Sequence, residues 1–364
     1  MHPPLLRRLI KIMRESKQFC YLCLLLWTFS GCAASQSPQS SVFELAPDDR
    51  PVYEQLMRET DADLRYFRSF DLTPIAYRVV LPKAEPDVVV AFIHGIAAQS
   101  KLYIPLGDSL AKRGIATALL DLRGHGCSGG ARGDVPSLDA LVRDVRLFLD
   151  TLRRDFPNKK IVLGGHSLGA GLSLRFITEF SERKKLYTPP DGLILMAGGF
   201  LANPRCDSLE LAERRQFLRR GAFATLDGWK MAAVFPAAIL NLKPYPIKLI
   251  LPEDELVTKA IKDTLLTTEY TMQFLFAAFP TDVARAYQLI KCPTLLVVGQ
   301  RDELVRICDA DASLQRLINA EQKELFVVKD ANHINVIWKS AGAVADWIKQ
   351  NIVAGALPEQ TPPE

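Results

Sequence analysis

The stretch Ile161-Val162-Leu163-Gly164-Gly165-His166-Ser167-Leu168-Gly169 decides the reading of this chain. An apolar run ends in Gly-x-Ser-x-Gly, and the residues from Ala170 to Phe180 continue with helical character. A buried strand that turns this sharply into a helix lifts a serine hydroxyl clear of the sheet. The glycines answer a steric demand: helix and strand approach so closely that a side chain at Gly165 or Gly169 would collide with neighbouring backbone. Ser167 is therefore the candidate nucleophile. The pentapeptide alone also fits an ordinary glycine-rich turn, so its partners must carry the argument.

A serine is inert at neutral pH unless a base takes its proton, and the base must be held in one tautomer by a third group. The chain has 5 histidines. His2 lies at the amino-terminal end, and His94, His125 and His166 sit beside glycines in turns of their own, where a structural role is expected. His333 remains. It lies in the polar loop Asp330-Ala331-Asn332-His333-Ile334, directly after the strand-like Glu324 to Val328. Loops at the carboxyl ends of strands form the reactive face of an open parallel sheet. The acid is sought one strand earlier, where the apolar Thr294 to Gly299 runs into Gln300-Arg301-Asp302-Glu303. Asp302 follows the strand end closely enough to reach a histidine on the adjacent loop. Glu303 and Asp309 compete with it, a surface role for Asp302 is the plain alternative, and Asp330 is too near His333 in sequence to be preferred. The order Ser167, Asp302, His333 is that of an α/β-hydrolase and differs from the two protease orders on unrelated folds.

Ester chemistry also needs two backbone donors for the oxyanion that develops as the carbonyl becomes tetrahedral. Leu168, the residue after the nucleophile, supplies one. The strand-like Val88 to Ile93 ends in His94-Gly95, which bends the chain so that the amide of Ile96 points inward as the second. A simple strand-end glycine is the competing account of Gly95.

From His94 to Arg154 the chain resembles the monoacylglycerol lipase and lysophospholipase branch of the α/β-hydrolases, which is grouped with certain serine aminopeptidases. The resemblance rests on His94-Gly95 followed by Ser100 and Tyr103, and on Asp121-Leu122-Arg123-Gly124-His125-Gly126-Cys127-Ser128-Gly129-Gly130. Arg132-Gly133 and Val135-Pro136-Ser137 complete it, and with the Ser167, Asp302 and His333 segments it extends from about residue 65 to about residue 352. Relatives usually carry Gly-Glu-His where this chain has Ala97-Ala98-Gln99, which alters the polar contacts near the oxyanion loop but leaves the backbone donor. The resemblance implies a carboxylic ester hydrolase acting on a lipid-like ester such as a monoacylglycerol or lysophospholipid. Neither a metal nor an organic cofactor is implied, and no protein partner is indicated. A peptidase or amidase on the same scaffold is the rival within enzymes, since fold and triad do not fix the leaving group. A catalytically silent surface lipid-binding protein is the rival outside them.

The formal charge is +4. Residues 1–31 hold Arg7, Arg8, Lys11, Arg14 and Lys17 against Glu15, and the rest of the chain is balanced, so nothing argues for a nucleic-acid partner. This segment reads as a signal peptide: a basic region, an apolar stretch from Phe19 to Phe29, then Ser30-Gly31-Cys32. About eleven apolar residues are too few to cross a bilayer core as a helix. Small residues before a cysteine resemble a bacterial lipoprotein processing site, with Cys32 as the lipidated amino terminus of an exported, membrane-anchored protein. An uncleaved amino-terminal anchor is the alternative, and Met13 is a second candidate start. Residues 32–60 form a tether, with Ala33 to Ser41 rich in serine, glutamine and alanine. Residues 353–364 read as a disordered tail. An exported protein could pair some of Cys127, Cys206, Cys292 and Cys308, but no spacing suggests a metal site or a fixed disulfide framework, and free buried thiols are the expectation.

Between the motifs, Leu64 to Phe70 and Ile75 to Leu81 read as an antiparallel entry around Asp71-Leu72-Thr73-Pro74. Strand then alternates with helix: Leu102 to Arg113 ends at Gly114, Ile115 to Leu120 is a strand, and Leu138 to Leu152 carries an apolar stripe with Ser137 as its cap. Asp121 opens the Arg123-Gly124-His125-Gly126 turn and is read as a loop brace. The fold class is α/β: a mostly parallel, doubly wound sheet, with residues 61–199 and 289–352 as core. Residues 200–288 interrupt the alternation before the penultimate strand and read as a helical lid over Ser167. Phe217, Phe223, Trp229, Met231, Phe235, Phe274, Phe276 and Phe279 are divided between its own core and an acyl pocket.

Overall fold

Short apolar segments, each too brief for an independent helix, assemble into one sheet in the computed structural model of the chain. It describes residues 49–58, 63–182, 188–203, 224–227, 230, 243–251, 254–255, 259 and 266–354. Helix α1 (Arg50–Arg58) precedes the hairpin of β1 (Leu64–Arg68) and β2 (Pro74–Val80). Strand β3 (Val88–Ile93) continues through a 3-10 turn (Ser100–Tyr103) into α2 (Ile104–Ala111) and β4 (Ala116–Leu120). Then follow α3 (Ala140–Asp155), β5 (Lys160–His166), α4 (Leu168–Glu182) and β6 (Gly192–Met196). The next described elements are β7 (Ala224–Leu226), β8 (Ile247–Leu249), β9 (Glu269–Tyr270), α5 (Met272–Ala278) and α6 (Val283–Leu289). The chain closes with β10 (Thr294–Gly299), α7 (Ile307–Arg316), β11 (Lys323–Val328), α8 (Val336–Lys339) and α9 (Ala341–Ile348).

The main sheet has eight strands in the order β1-β2-β4-β3-β5-β6-β10-β11. Strand β2 runs antiparallel to both neighbours, and every pairing from β4 to β11 is parallel. This is the α/β-hydrolase fold. Period-two alternation explains why its central strands are apolar at nearly every position. Val89, Ala91, Ile93, Leu163 and Leu195 face one core with α3 and α4. Val88, Val90, Phe92, Val162 and Met196 face the other with α2 and α9. Among the described residues no helix is long and apolar enough to cross a membrane.

Two local expectations change. Asp139, not Ser137, occupies the amino-terminal cap of α3, and Ser137 Oγ instead donates to Asp139 Oδ1 at 2.6 Å. Between β6 and β10 the described residues are not purely helical, because β7, β8 and β9 form an antiparallel sheet of their own. Phe274 is fully buried there, and Phe276 and Phe279 pack against the main core. Phe279 fills the space beside Gly171, where a methyl group would strike its ring. Phe217, Phe223, Trp229, Met231 and Phe235 lie outside the described residues, as do Cys32, Cys206 and the expected signal peptide.

The cysteines require a further correction. Cys127 and Cys292 are thiols outside any disulfide, and burial pushes the Cys292 thiol up to about 12. Cys308, expected to be free, is disulfide-bonded. Its partner lies outside the described residues.

The turn after β4 is held by a buried charge network. Arg123, 2% exposed, donates to Asp144 through Nε at 2.9 Å, to Asp71 through Nη1 at 2.7 Å and to Ser69 Oγ through Nη2 at 2.9 Å. Its guanidinium holds the Asp71 carboxyl down at about 2. Burial pushes the Asp144 carboxyl up, against the opposing pull of Arg123. Arg123→Met leaves Asp144 buried without its cation and is expected to destabilise the fold by about 3–5 kcal/mol. Chemical denaturation measures this directly; a loss below about 1 kcal/mol contradicts it.

Candidate active site

The turn at the end of β5 is shaped by two close approaches. A Cβ at Gly165 would meet the backbone of Gly169, and one at Gly169 would meet the carbonyl oxygen of Ile93. Ser167 itself has φ 54°, a left-handed conformation that costs a residue with a Cβ about 1–3 kcal/mol. It is held there by its own N–H, which donates to Met196 O at 2.8 Å.

The strand order brings three distant residues into hydrogen-bonding reach. Ser167 Oγ lies 3.1 Å from His333 Nε2, and His333 Nδ1 lies 3.0 Å from each oxygen of Asp302. His333 and Asp302 are almost wholly buried, with side chains 4% and 0% exposed. A carboxylate facing Nδ1 fixes the proton on that nitrogen and leaves Nε2 as an acceptor for the serine hydroxyl. Asp302 cannot swing away, because its Oδ1 also accepts the amides of Leu304 at 2.9 Å and Val305 at 2.8 Å.

The other carboxylates are engaged elsewhere. Glu303 accepts the backbone N–H of His333 at 2.8 Å, and burial raises its carboxyl above the ordinary range. Asp309 is paired with Arg306, and Asp330 with Arg301 at 2.6 Å. Asp121 accepts the amides of Ser100 and Cys127, as a loop brace does. The loop carrying His333 is folded by Asn332, whose Oδ1 accepts the amides of Ile334 and Asn335.

The loop after β3 presses against the serine: a Cβ at Gly95 would lie 3.3 Å from that of Ser167. Among the described residues, the amides of Ile96 and Leu168 donate to no protein acceptor. These are the two amides that the sequence offers as candidate oxyanion donors. No group of three or more His, Cys, Asp or Glu side chains that could hold a metal occurs among the described residues.

The three remaining histidines in the core are fully buried, and burial lowers the basicity of each. They stay neutral and act as braces. His166 donates from Nε2 to the carbonyl of His333 at 2.8 Å, while its Nδ1 faces Tyr103 Oη at 2.9 Å. Tyr103 Oη in turn accepts the Gly95 amide at 2.8 Å. Tyr103, Glu303 and Asn332 thus support the site in ways the sequence does not indicate: Glu303 is weighed there only as a rival acid, and Tyr103 only as part of a family motif. For Asn332 a signal existed, since Asn two residues before a loop amide favours an Asx turn. Tyr103 and Glu303 act through contacts that have no sequence period.

Known proteins resemble this chain in sequence and in fold. Over 299 residues the chain is 26% identical to the monoglyceride lipase of Mus musculus, covering 82% of this chain and 89% of that one. It is 35% identical over 106 residues to an uncharacterized abhydrolase domain-containing protein of Dictyostelium discoideum, a match covering 29% of this chain and 11% of that protein. Among solved structures, a soluble variant of the Saccharomyces cerevisiae monoglyceride lipase in complex with a substrate analog superposes with TM-score 0.58 at 16% identity. That match covers 81% of this chain and 97% of the yeast chain, a likeness of fold. Residues 84–336 match the family described as serine aminopeptidase, S33, and the chain accordingly belongs to this family, a serine hydrolase with the α/β-hydrolase fold.

Proposed function

We propose that this protein is a carboxylic ester hydrolase acting on monoacylglycerol- or lysophospholipid-type lipids through an acyl-enzyme. The observation that carries the reading is the hydrogen-bonded line from Ser167 Oγ through His333 to Asp302, with two unpaired amides beside it. Ser167 Oγ attacks the ester carbonyl carbon as His333 Nε2 takes its proton. Asp302 stabilises the imidazolium and keeps its ring in place. The Ile96 and Leu168 amides receive the oxyanion, worth on the order of 10²–10³ in rate per donor. Collapse expels the alcohol, protonated by His333, and water then repeats the sequence on the acyl-enzyme. Residues 200–288 form a lid over this site, and apolar groups in it line the acyl chain.

The lipid-like substrate is supported by the similarity to monoglyceride lipases along most of the chain. Hydrolysis of a monoacylglycerol, a lysophospholipid and an aminoacyl anilide by the purified protein tests it. Turnover of the two lipid esters well above that of the anilide is expected, whereas preference for the anilide would establish the peptidase suggested by the family description.

The proposed location is outside the cytoplasm, anchored by lipid on Cys32. The disulfide at Cys308 supports export, because such bonds persist in oxidising compartments. Cys32→Ser is expected to abolish lipid attachment, with the hydrolase still active after solubilisation. An active variant that stays stably membrane-bound with residues 19–29 intact would establish the uncleaved anchor instead.

A further inference from the structure

The loop that presents Ile96 is gripped on both sides. The Gly95 amide donates to Tyr103 Oη at 2.8 Å, and the Ala98 amide to Gly95 O at 3.3 Å. The Ala97 amide donates to Tyr270 Oη at 2.9 Å, across 173 positions of sequence. Ala97 has φ 64°, again the left-handed region that a residue with a Cβ avoids. Both of its backbone groups are held by one short segment, since Thr267 N donates to Ala97 O at 3.2 Å. Ile96 is thus the one residue of the 95–98 loop whose amide is left to an outside acceptor.

Tyr270 is itself fixed. It is fully buried, its hydroxyl faces the carbonyl of Thr267 at 2.9 Å and His125 Nε2 at 2.8 Å, and its ring lies against His125 and Phe274. His125 Nδ1 donates to Arg123 O at 3.0 Å, so its Nε2 is an acceptor that shares the one tyrosine proton with Thr267 O. The segment is tied down further by Thr267 Oγ1 to Gly124 O at 3.2 Å and by Thr271 N to Gly133 O at 3.0 Å. On its far side β9 pairs with β8 in the sheet of the insertion.

We infer that Tyr270, with Thr267, is a positioning residue for the oxyanion hole: a strap from the insertion pins Ala97 in its left-handed conformation and so aims the Ile96 amide at the substrate oxygen. This rests on the proposed reading of Ser167 and Ile96. A merely packed tyrosine needs its ring, whereas this one needs its hydroxyl. Without that oxygen the buried Ala97 amide has no acceptor, and the loop relaxes to find one. The loss falls on the transition state, because a carbonyl oxygen needs the Ile96 amide far less in the ground state.

Tyr270→Phe keeps the ring and removes the acceptor. The expected result is a kcat reduced about ten- to a hundredfold with KM changed less than about threefold. Affinity for a trifluoromethyl ketone, which forms a tetrahedral adduct on the serine, falls by the same factor, and amide exchange over residues 95–98 speeds up. Thr267→Ala retains the backbone bond to Ala97 but frees the strap from Gly124, and gives a smaller loss of the same kind. It serves as the second variant should Tyr270→Phe fail to fold. A folded Tyr270→Phe protein with unchanged kcat and unchanged exchange overturns the inference, as does a rise in KM alone or a lowered Tm without loss of kcat. Failure of the wild-type protein to react with a fluorophosphonate at Ser167 would overturn the reading of the site instead, which separates the two failures.

Discussion

Ser167→Ala is expected to lower kcat on a monoacylglycerol ester by on the order of 10⁴–10⁶-fold while leaving the protein folded. The hydroxyl is the attacking group in the proposed mechanism, and neither His333 nor the oxyanion amides can replace it. Alanine fits the turn because Ser167 Oγ makes its one described hydrogen bond to His333, whereas the conformation is held by the backbone bond to Met196. Steady-state kinetics with a thermal melt checks both halves. Activity within tenfold of wild type would remove Ser167 from the mechanism, and a collapse in Tm would mean that the hydroxyl is structural.

Asp302→Asn is expected to reduce kcat by about 10⁴-fold with little change in KM. An amide in this position can present a donor to Nδ1, which shifts the imidazole proton to Nε2, where it blocks acceptance from the serine. The imidazolium would also lose its counter-charge. Glu303→Gln separates the two neighbouring acids: Glu303 touches the backbone of His333 and Asp302 the ring, so the glutamine variant is expected to retain most of its activity. Severe loss on Glu303→Gln with a near-normal Asp302→Asn protein would reverse the assignment.

The parts of this fold that were legible in the sequence are those enforced locally. Gly165 and Gly169 announce the turn because the steric demand that selects them acts over a few residues. The strands announce themselves because both faces of the sheet are covered, so Val88 to Ile93 and Leu295 to Gly299 have no polar position to spare. Asp302 and His333 could be picked out because parallel strands deliver their following loops to one edge of the sheet. What resisted reading was set by distant pairing. The hydroxyl of Tyr270 meets Ala97 through the topology alone. Between β6 and β10 the sequence reads as mostly helical and does not pick out β7, β8 and β9, which pair as strands. Strands of two or three residues are too short to establish a period. Ser137 was misplaced as a cap because capping residues cluster, and the structure uses Asp139 two positions on.

The most direct test of the central claim is mass spectrometry of the intact protein after reaction with a fluorophosphonate, followed by peptide mapping. The account predicts one adduct per chain, carried by Ser167, abolished by Ser167→Ala and slowed by Asp302→Asn. No adduct on a folded wild-type protein, or an adduct on another residue that survives Ser167→Ala, would contradict it.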